Sequence, residues 1–256
     1  MRILSFDTST NEIHLSLVED GRAVKEIVVA EADALTRQEA VAALMPSVVE
    51  LMGQAGWQKP DLDCIVVGEG PGSFTGVRTG IVTARTIAQG LNLPLVPVHL
   101  LDCYASLCPL PAAVVLAAGR GRYFVAGYTS KDDRDCFQMS VAPVSASAGD
   151  LGALLAESAV WYADEKAFLE LAASAQSGKG TLNSALTGTL DGRSHQLLAL
   201  PILENIATKQ AQIAWNRVSL NDSLAEAYPY QTVTPLYLRN PSITLKKNAP
   251  EKPHGN

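Results

Sequence analysis

Three successive segments near the start of the chain have the periodicity of β-strands, and this pattern narrows the fold more than any other feature of the sequence. RILSFD is a short apolar run that ends at Asp7 and continues into the turn-forming residues Thr8 and Ser9. Apolar and polar residues then alternate from Ile13 to Leu17, EDG predicts a hairpin turn, and AVKEIVVA predicts a returning strand. The sequence therefore predicts a three-stranded meander with an aspartate at its first turn.

Helices and strands alternate after this meander. Apolar residues at helical spacing predict a helix over about 36–55, which Pro46 should bend or break into two pieces. DCIVVGEG predicts a strand, and SFTGVRTGIVTARTIAQG predicts a helix that is capped by Ser73 or Thr75 and ended by Gly90. LPLVPVHL predicts another strand and LLDCYASL one or two helical turns. This order implies a right-handed crossover onto a partly parallel sheet.

A similar order of elements returns in the second half of the chain. AVVLAAG, RYFVAGYTS and CFQMSVAPVS predict three strands joined by turns, DLGALLAES predicts a helix, and AVWYAD predicts a strand. Residues 174–195 are rich in Ser, Gly and Thr and predict a long flexible insertion. The repeated order of elements indicates an α/β protein with two similar lobes.

The limits of the two lobes follow from the same pattern. We expect an N-terminal lobe over 1–105 and a C-terminal lobe over 106–240, followed by a flexible tail at 241–256. PILENIATKQAQIAWNRVSL predicts a last amphipathic helix at about 201–217, which we expect to pack back on the N-terminal lobe. Its apolar positions include Ile202, Ile206, Ile213 and Trp215.

Composition excludes several classes of protein. The 256 residues are 47% hydrophobic and 18% charged, as in a globular protein, and a net charge of −6 disfavours a large nucleic-acid surface. No apolar run reaches the roughly 18–20 residues that a membrane span needs, and the N-terminus lacks the pattern of a signal peptide. The four cysteines, which have no metal-ligand spacing, are scattered at Cys64, Cys103, Cys108 and Cys136. We therefore expect a cytoplasmic protein that binds no membrane and no metal.

The glycine cluster VVGEGPGSFTGVRTG raises the question of a phosphate site. It lacks the Gly-Lys-Ser/Thr end of a Walker A loop, because Gly76 is followed by Val77 and Arg78, and it does not fit GxGxxG. A glycine-rich turn before a helix nevertheless presents backbone amides and the positive end of the helix dipole. The alternative is a tight turn whose glycines allow close packing. The candidate nucleotide contacts are Asp7, Thr8, Ser9, Gly72, Ser73, Phe74, Thr75 and Gly76.

No local pattern predicts catalysis. The four histidines lie far apart in the sequence, without an HExxH pair, and no GxSxG elbow is present. Asp7 would suit either a phosphate-bound magnesium ion or a simple Asx turn. The sequence therefore predicts no catalytic residue.

The two helices of the first half carry wide apolar stripes. The stripe of the helix at about 36–55 contains Val41, Leu44, Met45, Val48 and Met52. The stripe of the helix after the glycine cluster contains Val77, Ile81, Ala84 and Ala88. On pattern alone such stripes form the core of a lobe. A helix–helix interface between two chains is the alternative, since the pair has more apolar surface than one sheet face needs.

Three motifs in combination resemble the TsaB (YeaZ) family, the bacterial accessory subunit for making threonylcarbamoyladenosine on tRNA. They are ILSFDTST at the N-terminus, GPGSFTGVRTG at about residue 70, and PLYLR near the C-terminus. The resemblance implies a two-lobed actin-like ATPase (ribonuclease H-like) fold with mixed sheets flanked by helices. It implies a non-catalytic scaffold role that requires no cofactor, with ATP or ADP held, if at all, at a degenerate or shared site.

The resemblance also implies the partners. The chain would pair with the catalytic paralogue TsaD, be joined by the ATPase TsaE, and meet tRNA only through the complex. A homodimer that uses the same helix face is a further alternative for the isolated chain. The pairing helices correspond to about 36–54 and 76–89, which favours the interface interpretation of the stripes. The interface residues are then Val41, Leu44, Met45, Val48, Met52, Val77, Ile81 and Arg85. On this basis, Leu44→Arg or Val48→Arg should abolish TsaD binding and leave the monomer folded.

The chain departs from the family pattern at three places. Ala40 stands near a position that often carries histidine, AAG at 117–119 replaces a DAR strand end, and Ala163 and Asp164 replace glycines. The last two changes make ligand contacts from the second lobe less favourable. An independent actin-fold ATP-dependent kinase or peptidase is the alternative function, and it would turn over ATP or peptide without a partner.

Overall fold

A computed structural model describes residues 1–29, 37–130, 137–175, 185–190, 193–219 and 224–238. These residues form two mixed β-sheets with helices on their faces. The first sheet contains β1 (Arg2–Asp7), β2 (Ile13–Glu19), β3 (Arg22–Val29), β4 (Cys64–Gly68) and β5 (Leu95–Val98). The second contains β6 (Ala112–Gly119), β7 (Arg122–Thr129), β8 (Gln138–Ser147), β9 (Val160–Ala163), β10 (Ala185–Leu190) and β11 (Arg193–Ala199).

Five of the seven helices in the described ranges lie where the sequence predicts them, whereas Glu165–Ala175 and Leu224–Ala227 were not predicted. The helices are α1 (Arg37–Ala55), α2 (Phe74–Leu91), α3 (Leu100–Ala105), α4 (Leu151–Leu154), α5 (Glu165–Ala175), α6 (Ile206–Val218) and α7 (Leu224–Ala227). Short 3-10 turns occupy Lys59–Asp61, Ala148–Asp150 and Tyr230–Thr232. No helix in the described ranges is long and apolar enough to cross a membrane. The α/β fold class is confirmed.

The first sheet has the strand order β3-β2-β1-β4-β5. The predicted meander is confirmed, since β1, β2 and β3 pair antiparallel, and Asp20 and Gly21 both have positive φ in the hairpin turn, at 50° and 78°. β4 and β5 add in parallel to β1 through the crossover helices. The carboxyl ends of the three parallel strands, at Asp7, Gly68 and Val98, therefore meet at one edge, where open α/β sheets bind ligands.

The second sheet has the order β10-β11-β9-β6-β7-β8. Its core repeats the first sheet, with an antiparallel meander β6–β7–β8 and the parallel strand β9 beside β6. The prediction of a flexible insertion over 174–195 is wrong for 185–190 and 193–195. Those residues form the hairpin β10–β11, because β11 finds an edge to pair with, in parallel, along β9. Residues 176–184 and 191–192 lie outside the described ranges.

Separate hydrophobic cores hold the helices against the faces of the two sheets. α1 and α2 cover one face of the first sheet, and α4 and α5 cover the outer face of the second. α3 and α6 lie between the two sheets, in a core to which both sheets contribute, for example through Val66 and Leu116. The last long helix therefore packs against β1, β2 and β4 of the first sheet. The lobe limits at 105 and 106 stay a prediction.

One helix interior and two helix ends differ from the sequence-based expectation, whereas the predicted cap at Ser73 is confirmed. α1 runs without interruption through Pro46. α2 begins after Ser73, which accepts a hydrogen bond from the Gly76 amide, and ends at Leu91 because Asn92 takes the left-handed conformation. α6 begins after the N-cap Asn205, so Ile202 precedes the helix and is 89% exposed. A side-chain cap, rather than the apolar pattern, sets this start.

The C-terminal segment returns to the first lobe. The amide of Leu95 donates to the carbonyl of Tyr228 and the amide of Leu236 to that of Glu69, each at 3.1 Å. Val233 is buried in the core under α1 and α2. The motif PLYLR at 235–239 begins in this segment, so a piece of the chain distant in sequence completes the first lobe.

Candidate functional site

The turn after β1 and the glycine loop after β4 contact each other directly. The amide of Ser73 donates to the carbonyl of Ser9 at 2.7 Å. The hydroxyl of Thr8 donates to the carbonyl of Gly76, also at 2.7 Å. The two segments that the sequence pointed to as nucleotide contacts are therefore brought together, and they bind each other.

The glycines of this region leave the space in which the turn after β1 contacts the glycine loop. A Cβ at Gly72 would overlap the Ser9 carbonyl, and one at Gly80, two turns into α2, would overlap the Thr8 hydroxyl. A Cβ at Gly68 would overlap the carboxylate of Asp7. The geometry supports the alternative in which the glycines allow close packing, because each missing side chain leaves the space that the β1 turn fills.

The remaining loop residues begin α2. Phe74 is the first helical residue, and its ring stacks on that of Tyr237 with 4.6 Å between the centroids. Thr75 is exposed in the first turn, and its carbonyl accepts a hydrogen bond from the Thr79 hydroxyl at 2.8 Å. Phosphate contact at this helix start stays a prediction.

Asp7 is fully buried, and both of its carboxylate oxygens accept hydrogen bonds. Oδ1 accepts from the amide of Ser9 at 2.7 Å and from its hydroxyl at 2.6 Å. Oδ2 accepts from Nε2 of Gln210, on α6, at 2.6 Å. Gln210 was not predicted as a site residue, although the sequence carries a signal for it. It is a glutamine four residues after Ile206 and four before Ala214, on the apolar stripe of the helix.

Two segments at which the second lobe departs from the family pattern, 117–119 and 163–164, are hydrogen-bonded to each other. Asp164, which follows β9, accepts hydrogen bonds from the amide of Ala167 at 2.7 Å and from the amide of Ala117 at 3.0 Å. The first bond caps α5 and the second joins its start to the end of β6. Ala40 lies in α1, but its side chain is outside what the structure describes. The replacement at 163–164 thus has a structural role.

A buried polar cluster links the lobes beyond Asp7. Asp102 on α3 accepts hydrogen bonds from Arg217 at 2.6 Å and from the hydroxyl of Tyr128 at 2.9 Å. Glu69 lies 3.3 Å from Nδ1 of His99, and burial raises the pKa of its carboxyl. Because these residues come from β7 and from the segments around β4, β5 and α6, sequence spacing alone does not bring them together.

His14 is a buried histidine that faces the start of α6. Its Nδ1 accepts the amide of Ile206 at 3.5 Å, and its Nε2 lies 3.4 Å from Glu12. Burial lowers the pKa of the imidazole below its usual 6.5, against the opposing effect of Asp7 and Glu12. The folded protein therefore favours the neutral form, which accepts the Ile206 amide.

We expect the free energy of unfolding to fall as the pH drops below about 6.5. In that range the unfolded chain binds a proton at His14 that the folded chain excludes, so stability rises with pH. The slope from this residue is at most about 1.4 kcal/mol per pH unit. Urea denaturation between about pH 5 and 7.5 measures it. His14→Asn should flatten the dependence, and an unchanged slope in that variant would contradict the assignment.

The predicted interface helices bury most of the residues assigned to the interface. Leu44, Val48, Val77 and Ile81 lie in the core between the helices and the first sheet, and Met52 is nearly as buried. They pack on strand residues such as Leu4 and Phe6, while Val48 and Met52 also line a groove between the helices. Because both side chains are buried, we expect arginine at 44 or 48 to destabilise the fold, whereas the sequence alone led us to expect a folded monomer.

Neighbouring residues form the outer surface of the same helices. Met45 is 44% exposed, Val49 65% and Val82 57%. Arg85 is partly exposed, and the side chain of Val41 lies outside what the structure describes. A groove of about 270 Å³ separates the helices, with an almost wholly apolar lining: Leu4, Met45, Val48, Val49, Met52, Lys59, Leu62, Thr86, Ile87, Gly90 and Leu91. We call the exposed residues Met45, Val49 and Val82, with this groove, the α1–α2 face.

Within the described ranges, no three His, Cys, Asp or Glu side chains are grouped to hold a metal ion. Cys64, Cys103 and Cys108 are free and buried. Burial raises the pKa of the Cys64 and Cys108 thiols to about 12 and that of Cys103 well above its usual value. Such thiols stay protonated at neutral pH and are poor nucleophiles.

Known proteins share both the sequence and the fold. Residues 34–146 match the family model of TsaD, tRNA N6-adenosine threonylcarbamoyltransferase. The TsaB biosynthesis protein of Bacillus subtilis (strain 168) is 35% identical over 106 residues, which are 41% of this chain and 44% of that protein. TsaB of Escherichia coli (strain K12) is 36% identical over 101 residues, 40% of this chain and 41% of that protein. The matched region thus spans less than half the length of these curated relatives.

Two solved structures extend the similarity along the chain. A Pseudomonas aeruginosa protein, described as uncharacterized with similarity to peptidase YEAZ, has a TM-score of 0.64 and 19% identity over 93% of this chain and 99% of its own. YeaZ from Pseudomonas aeruginosa has a TM-score of 0.60 and 20% identity over 84% and 92%. The two-sheet architecture is that of these YeaZ structures, a two-lobed actin-like fold.

The chain is thus similar in sequence to TsaB proteins over part of its length, and similar in fold to YeaZ.

Proposed function

We propose that the chain acts in the cytoplasm, in the biosynthesis of threonylcarbamoyladenosine on tRNA, as a non-catalytic subunit that binds and activates a TsaD-type transferase. Similarity to TsaB biosynthesis proteins and to the TsaD family model supports this pathway. The α1–α2 face supports the binding role, because three large apolar side chains stand exposed beside an apolar groove. A contiguous apolar surface of this kind is a feature of protein–protein interfaces.

TsaD is the partner that this proposal assigns to the α1–α2 face, and TsaE would join the assembled pair. In isolation the same face would pair with a second copy of the chain, and the two associations would exclude each other. tRNA would meet the chain only within the complex, in keeping with the net charge of −6.

A reconstituted reaction tests the role. Purified chain, cognate TsaD and TsaE are incubated with unmodified tRNA and the threonylcarbamoyl donor, and each protein is omitted in turn. We expect threonylcarbamoylation of the tRNA to be lost when the chain is left out, and the chain alone to have no activity. Full modification without the chain would contradict the proposal.

An independent actin-fold enzyme is the second candidate, supported by the peptidase description of one structural neighbour. The buried, protonated cysteines disfavour a thiol nucleophile among the described residues. Hydrolysis of ATP or of a peptide library by the purified chain would favour this alternative.

A further inference from the structure

We propose that Asp7 anchors α6 to the first sheet, and that Gln210 takes the place at its carboxylate that a magnesium ion or a nucleotide phosphate would need. The fold class implies such a ligand, since Asp7 ends a parallel-paired strand beside a glycine loop. The residues present do not fit it. This inference does not depend on the partner of the chain.

The first reason is the occupancy of the carboxylate. Ser9 donates twice to one oxygen of Asp7, and Gln210 donates once to the other, all within 2.7 Å. Asp7 and Gln210 are both fully buried. Magnesium demands octahedral geometry and keeps several of its waters, so a buried carboxylate that is already hydrogen-bonded on both oxygens leaves it no position.

The second reason is the space around the pair. Gly68 has no side chain, and a Cβ there would overlap the Asp7 carboxylate and come within 2.7 Å of Nε2 of Gln210. The carbonyl of Ser9 fills the space beside Gly72 and accepts the Ser73 amide. The Ser9 carbonyl oxygen would repel a phosphate, and it already accepts the Ser73 amide hydrogen that a phosphate would need.

The orientation of Gln210 supports an anchoring role. Its Nε2 faces the carboxylate, since the opposite orientation would place two acceptors together. Its Oε1 is buried and has no hydrogen-bond partner among the described residues. Because Oε1 of Gln210 makes no such bond within the described part of the chain, the hydrogen bond from Nε2 to the Asp7 carboxylate is what holds this buried side chain in place.

The bond belongs to a row of polar contacts between α6 and the first sheet. Nδ2 of Asn205 donates to the carbonyl of Leu15 at 3.3 Å, and the hydroxyls of Thr208 and Ser16 are hydrogen-bonded to each other at 2.8 Å. Gln210 on Asp7 continues this row toward the middle of the helix. Because α6 lies in the core between both sheets, an anchor on β1 fixes how that helix is presented to the second lobe.

A double-mutant cycle tests the anchor. Gln210→Ala and Asp7→Ala should each lower the melting temperature by about 4–10 °C, as expected for a hydrogen bond to a charged group in a chain of this size. The double variant should lose clearly less than the sum of the two. Gln212→Ala, a partly exposed glutamine on the same helix, is the matched control and should melt within about 2 °C of wild type. Additive losses would overturn the anchor.

A titration of wild-type chain tests the displaced ligand. We expect no saturable heat with MgCl₂ alone, with Mg·ADP or with a non-hydrolysable Mg·ATP analogue in isothermal titration calorimetry. Magnesium-dependent nucleotide binding by wild type that Asp7→Ala abolishes would overturn the proposal. This experiment uses the wild-type chain first, so it decides the ligand question even where an alanine variant yields no folded protein.

Discussion

Val49→Arg is expected to abolish co-purification with TsaD and to leave the chain folded. Val49 is 65% exposed on α1, so an arginine there reaches water in the free chain and costs little stability. In a complex closed over the α1–α2 face, the same guanidinium would be buried without a partner, which costs several kcal/mol. We expect affinity to fall by at least about 100-fold, measured by calorimetry or pull-down with purified TsaD.

Leu169→Arg is the control for this variant. Leu169 is exposed to a similar degree, at 52%, on α5 of the other lobe, away from the proposed interface. It adds the same charge and should leave TsaD binding unchanged. Val82→Arg, on α2, should behave like Val49→Arg, since both residues belong to the α1–α2 face. Normal binding by both variants of that face would place the interface elsewhere.

Leu44→Ala is expected to have the opposite effect, a large loss of stability. Leu44 lies five residues before Val49 on the same helix but is only 1% exposed, in the core above the first sheet. Removing a buried leucine side chain costs about 2–5 kcal/mol, from lost burial and the cavity that remains. Leu44→Arg should prevent folding, because no described charge lies in that core to pair with it.

Chemical denaturation of purified protein measures this loss. Met45→Ala is the matched control, because Met45 is the next residue along α1 and is 44% exposed. It should change the free energy of unfolding by less than about 1 kcal/mol. Equal losses for the two variants would mean that α1 packs with a different face toward the sheet.

Periodicity explains why the apolar stripe could be predicted, whereas the division of its residues between core and surface could not. Leu44, Val48 and Leu51 repeat at helical spacing and therefore lie on one face, as expected. Met45 and Val49 each follow a buried residue by one position, about 100° around the helix, and they extend the same apolar stripe. How far around the helix the sheet covers that stripe depends on the position of α2, which local sequence does not encode.

The same limit applies at the strand-end turn. The sequence identified Asp7, Ser9 and Gly72 as one candidate site, because a strand end and a glycine loop in that order meet at one sheet edge. It did not identify Gln210, which is separated from Asp7 by 203 residues. The long-range donor to the buried Asp7 carboxylate depends on which helix packs over it in the tertiary structure.

The order of the elements up to β9, the two meanders and the crossover helices of the first sheet were determined by the sequence, since they depend on short-range periodicity and turn chemistry. The tertiary structure alone decided three matters. One face of α1 and α2 is buried and the other is exposed. β11 pairs with β9, and Gln210 donates a hydrogen bond to the carboxylate of Asp7. Each depends on surfaces that meet only when distant segments pack, and burial, rather than local propensity, sets their free energy.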